Sequence, residues 1–148
     1  MRLSSFLFSG AAGVSVLGAV AHELVGAPKV LGPLADTNLP ADVIWLHHFS
    51  WHVGTVAVLV MAALFLAAAR TPSGRPLALF ACLMSTGFAA LGIGLAVFAS
   101  AVLWTTPAPY PWTLVAGLGW LGLFFTRNPE REKPAAGRST PPDMGPRR

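Results

Sequence analysis

Four long apolar stretches, separated by short polar or proline-rich connectors, set the pattern of this chain. From Leu3 to Gly26 no charge interrupts the first stretch before Glu23. About 20 apolar residues cross a bilayer, so this stretch predicts a first helix over 3–26. Asp42 to Ala69 predicts the second, 42–69, with Pro40 and Asp42 suited to its first turn. From Val53 to Ala69 it holds no ionisable residue. Arg70, Pro72, Gly74, Arg75 and Pro76 form a short basic turn. A third helix follows over 77–104, punctuated by Gly87, Gly92 and Gly94, then an uncharged turn from Thr105 to Pro111. The fourth helix, 110–125, carries Gly117, Gly119 and Gly122.

The connector from Gly26 to Ala41 is rich in glycine and proline, which are expected to stop one helix and delay the next. Its Val30, Leu31, Leu34 and Leu39 are expected to pack on the helix ends. Arg127 to Arg148 is polar and rich in proline and charge, so a disordered tail is expected there. Short turns between apolar helices predict an all-α membrane protein: an antiparallel bundle of four transmembrane helices over residues 1–126, followed by the basic tail 127–148. Small-residue rows such as Ala11, Ser15 and Ala19, or Ala90 and Gly94, would let helices approach closely.

Composition sharpens the class. Of the 148 residues 54% are hydrophobic and only 11% charged, and mean hydropathy is +0.62. A soluble domain carries about 25% charged residues; here the charges collect at the start, between two apolar stretches and in the tail. The net charge of +4 has no aromatic-interleaved basic patch, so it reads as a topology signal and not as a nucleic-acid footprint. Arg2, Arg70, Arg75 and the tail cations fall on one side, and Lys29 on the other. Both termini are therefore expected in the cytoplasm, with Trp45, Trp104, Tyr110 and Trp112 near the outer face. An abundance of Ala, Gly and Pro, with eight Arg against two Lys, points to a bacterial chain and its cytoplasmic membrane. Cys82 is the single cysteine, so no intrachain disulfide can form. A rival reading takes Arg2 and Ala19-Val20-Ala21 as marks of a cleaved signal peptide, leaving His22 as an N-terminal ligand. The bilayer is the expected partner, and a protein partner or a second copy stays open.

The candidate chemistry is histidine. Three of four histidines lie in Trp45-Leu-His-His-Phe-Ser-Trp-His52, and the fourth, His22, precedes Glu23. At 100° per residue His48, His52 and Thr55 share a helix face, whereas His47 turns away and reads as interfacial. Helix one ends just after His22 and helix two starts just before His47, so an antiparallel hairpin would bring His22 to the depth of His48 and His52. Only one of His22 and Glu23 is expected to point squarely at helix two. The set His22, His48 and His52, with Glu23 and supported by Trp51 and Thr55, could ligate a transition metal or a b-type haem. Covalent haem attachment is excluded, because there is no Cys-x-x-Cys-His.

Ala21-His22-Glu23-Leu24-Val25-Gly26, Pro33-Leu34, Leu39-Pro40 and Trp51-His52-Val53-Gly54-Thr55 resemble a group of small four-helix bacterial membrane proteins without established activity. In that group helix one ends in His-x-x-x-Gly and helix two carries Trp-His-x-x-Thr. The resemblance covers about the first half of the chain and singles out His22 and His52. It also implies a glutamate after the glycine, where this chain has Ala27. Three functions are compatible: a histidine-ligated metal or haem site near the outer face, a structural or accessory subunit whose histidines only hydrogen-bond between helices, and a small transporter or proton relay. The reading leans away from an enzyme, because no nucleophile–base pair is visible.

Overall fold

The structure, a computed structural model, describes residues 3–126; the expected tail 127–148 lies outside them. Four long helices dominate: α1 (Leu3–Ala21), α3 (Ala41–Arg70), α4 (Arg75–Phe98) and α5 (Tyr110–Phe124), with a single turn α2 (Ala27–Val30) inside the first connector. Helix α1 packs on α3 and α5, and α4 packs on the same two, which closes a ring. Phe8 meets Phe65 and His22 meets Trp51, so α1 and α3 run antiparallel. A Cβ on Gly18 would approach Trp112 and one on Gly122 would meet Phe8, so α5 runs antiparallel to α1 as well.

The faces turned inward combine a few large side chains, Phe8, Met61, Phe65 and Val115, with many small ones. Ala11, Ala12, Ser15 and Ala19 of α1, Ala62 and Ala68 of α3, and Ala78, Ala81, Cys82, Ser85 and Ala89 of α4 are buried. Large apolar side chains such as Phe6, Leu17, Val56, Phe80 and Leu91 point outward. A soluble bundle has polar residues there; an apolar outer surface is what lipid contact allows. The two fully buried hydroxyls bond within their own helices, Ser15 to the Ala11 carbonyl (2.8 Å) and Ser85 to that of Cys82 (3.0 Å). The runs Leu3–Asp36, Ala41–Arg70 and Arg75–Phe98 are long and apolar enough to cross a membrane. Helix α5, with 15 residues, is about 22 Å long, against about 30 Å of hydrocarbon.

Three expectations are corrected. First, Gly26 and Pro28 do not stop the first helix. Its axis continues through a π turn over His22–Gly26, in which the Ala27 N–H bonds to the His22 carbonyl, into α2 and a 3-10 turn over Gly32–Asp36. The wider turn admits Pro28 at the start of the next one, where its missing N–H costs nothing. Second, the third helix ends at Phe98 and not at 104. Ser100 is extended, at φ −153° and ψ 116°, and a 3-10 turn follows over Ala101–Thr105. The return loop crosses Gly92 so closely that a Cβ there would lie 3.2 Å from the Pro109 Cα. The chain must therefore leave the helix early to lay that loop back on α4. Third, Ala90 is exposed and Gly94 faces open space, so that row is not an inward face, unlike Ala11, Ser15 and Ala19.

Helix α5 is seated by two glycines. A Cβ on Gly119 would lie 2.7 Å from the Cys82 Sγ and 2.8 Å from the Phe65 Cζ, and one on Gly122 would lie 2.5 Å from the Phe8 Cε1. Gly117 meets nothing within 4 Å. Gly119→Ala and Gly122→Ala are each expected to lower unfolding stability in detergent by about 1–3 kcal/mol through overpacking. Gly117→Ala is expected to be neutral or stabilising, by up to about 1 kcal/mol.

Candidate functional site

The polar groups at the connector end of α1 and α3 assemble around Glu23. In the register that places His22 on Trp51, successive residues of the π turn meet successive residues of α3. The His22 imidazole lies flat on the Trp51 indole, with ring centroids 3.8 Å apart and planes 9° from parallel. Its Nε2 donates to the Trp51 carbonyl at 3.4 Å. One residue on, the Glu23 carboxylate accepts from both His52 and Thr55. The His52 Nδ1 stands 3.1 Å from Oε1, and the Thr55 hydroxyl donates to the same oxygen. Both His22 and Glu23 thus engage α3, where one alone was expected. Trp51 and His52 are themselves about 100° apart on their helix, so two adjacent residues on each side mesh in parallel. The π turn also advances less per residue than an α turn, which keeps Glu23 near the α3 side.

Trp51 fills the angle between the two limbs. Its ring sits against the bare Cα of Gly26, where a Cβ would lie 2.9 Å from Cζ2. Its Nε1 is buried without a hydrogen-bond partner among the described residues. Packing and the His22 stack, not a bond from the indole N–H, therefore fix the ring. The Glu23 side chain is 29% exposed and that of His52 56%, so the pair sits at the rim. Thr55, deeper on α3, is the better shielded of the two donors.

The other two histidines stand apart. His48 lies against Trp45, with centroids 5.2 Å apart, and not in the Glu23 cluster. His47 is exposed and donates from Nδ1 to the Val43 carbonyl at 2.8 Å in its own helix. Among the described residues no three His, Cys, Asp or Glu side chains come together as a group that could hold a metal. Of the expected set His22, His48, His52 and Glu23, only Glu23 and His52 bond to each other, with Thr55 as second donor; His22 sits beside them on Trp51.

His22 and Thr55 have a second neighbourhood. They also line a half-open cavity of about 160 Å³ between the helices, with Phe88 and Trp112 among its walls. Those two aromatics carried no signal of this in the sequence, because they lie on helices far from the histidines along the chain.

No protein-family model matches the chain, and no curated protein or solved structure matches it.

The contact of Gly26 with Trp51 yields a direct test. Gly26→Ala is expected to destabilise the protein by about 1–3 kcal/mol, since an aromatic ring cannot fold away from a new methyl group. Adding Trp51→Leu should recover part of the loss. Chemical unfolding in detergent of both variants measures this.

Proposed function

We propose that this is a four-span membrane protein with a structural or accessory role, in which the Glu23 cluster clasps the α1–α3 hairpin. The observation that carries the reading is the pairwise use of the polar groups. His22 bonds to a helix carbonyl and stacks on Trp51, while His52 and Thr55 both serve Glu23. A metal or haem site needs the opposite arrangement, with lone pairs converging on one point. A carboxylate that holds two donors on a neighbouring helix is satisfied without an ion, and interhelical bonds of this kind stabilise membrane bundles by about 0.6 kcal/mol each.

Orientation follows from charge. Arg70 and Arg75 bracket the α3–α4 turn, and Lys29 lies at the opposite end of the bundle. By the positive-inside rule the arginine end faces the cytoplasm of a bacterial cell and the clasp faces outward. The short α5 spans only together with the residues around it, or where the bilayer thins. Trp104 and Tyr110, joined by a 2.8 Å bond from the Tyr110 hydroxyl to the Trp104 carbonyl, lie at the clasp end, where an aromatic belt belongs.

Purified protein from metal-replete cells is expected to carry no stoichiometric transition metal and no Soret band. His52→Ala is expected to lower its melting temperature. A bound metal or haem at one per chain, lost in His52→Ala, would overturn the accessory reading in favour of a ligand site.

A further inference from the structure

All four long helices contribute to the walls of the half-open cavity of about 160 Å³: Ala19 and His22 from the α1 limb, Gly54, Thr55 and Val58 from α3, Phe88 from α4 and Trp112 from α5. We infer that it is a binding site for a small neutral aromatic molecule bearing a single O–H or N–H donor, of the phenol class.

Size, walls and polarity each narrow the ligand. An apolar protein cavity of about 150 Å³ takes up benzene, so this volume suits one six-membered ring. Small residues keep the space open. Ala19 is buried on one wall, and on another a Cβ added to Gly54 would meet nothing within 4 Å. The aromatic wall is a tilted pair, Phe88 and Trp112, with centroids 5.4 Å apart and planes at 51°. Such a wall presents ring edges and faces to a third ring in the offset or edge-on geometries that aromatics prefer.

The two polar residues of the lining set the sign of the ligand's hydrogen bond. The Thr55 hydroxyl spends its proton on Glu23, which leaves its oxygen free only to accept. The His22 Nε2 carries the ring proton, because its partner is a carbonyl. In neutral imidazole Nδ1 is then an acceptor, and it has no hydrogen-bond partner among the described residues. Each polar residue of the lining therefore has only an acceptor left to offer, and the complementary ligand is a donor. An anion would meet the Glu23 carboxylate one bond away. A neutral ring with one hydroxyl or N–H has neither conflict, and it reaches such a site by partitioning through lipid.

The test uses the full chain in lipid nanodiscs with phenol as probe, and anisole and toluene as ring-matched probes without a donor. Ligand-observed NMR against empty nanodiscs separates protein binding from partition into lipid. Saturable phenol binding at one per chain is expected, weakened about tenfold for anisole and toluene by loss of one hydrogen bond. Gly54→Leu, which fills the cavity from its open wall, should abolish binding while circular dichroism stays unchanged. Should Gly54→Leu disturb the fold, Gly54→Ala should weaken binding and leave helicity intact. Phenol uptake no greater than that of empty nanodiscs, or unchanged in a folded Gly54 variant, would overturn the site. Equal affinity for phenol and anisole would overturn the donor assignment.

Discussion

Between Arg2 and Lys29 the chain carries a single charge, Glu23, at the end of a helix otherwise built for hydrocarbon. An unpartnered carboxylate in such a place is expensive, and its own helix offers no donor of the right reach. Thr55 and His52 of α3 supply two donors to the same oxygen. That requirement sets the register of the α1–α3 hairpin. Once Glu23 is anchored there, Phe8 falls opposite Phe65 at the far end, and the small-residue stripe Ala11, Ser15, Ala19 lies along the buried face. Apolar packing among alanines and glycines is tight but tolerant of sliding. A polar contact at one end gives it a fixed position.

The π turn belongs to the same solution. A regular helix through Gly26 would meet Pro28 with a clash and would carry Glu23 further round its axis. The five-residue turn His22–Gly26 relieves the first and limits the second. Trp51 then occupies the space against Gly26. Such insertions in helices are frequent at functional sites, and here the insertion carries His22 and Glu23, the two ionisable residues between Arg2 and Lys29.

Much of this was legible in the sequence, and the misses have physical causes. Helices of the right number and approximate place follow from apolar runs, because a membrane-spanning helix advertises itself by length alone. The helical wheel grouped His52 with Thr55, which share Glu23, and the hairpin topology put His22 at their depth. It also drew in His48, since a wheel shows angle and not which residue stands across the interface; His48 lies against Trp45 in its own helix instead. It treated Glu23 and His22 as alternatives because it assumed α geometry through Gly26. The end of α4 at Phe98 left no mark in the sequence: nothing between Val97 and Ser100 breaks helices. The cause is the loop that returns over Gly92, a contact between residues 17 positions apart.

The central claim is that Glu23 binds α1 to α3 through Thr55 and His52. A double-mutant cycle of Glu23→Ala and Thr55→Val, read as unfolding free energy in detergent or bicelles, tests it most directly. A coupling energy of about 0.5–1.7 kcal/mol is predicted, the range of interhelical hydrogen bonds in membrane proteins. Additivity of the two substitutions to within about 0.3 kcal/mol would contradict the clasp and leave the hairpin to apolar packing alone.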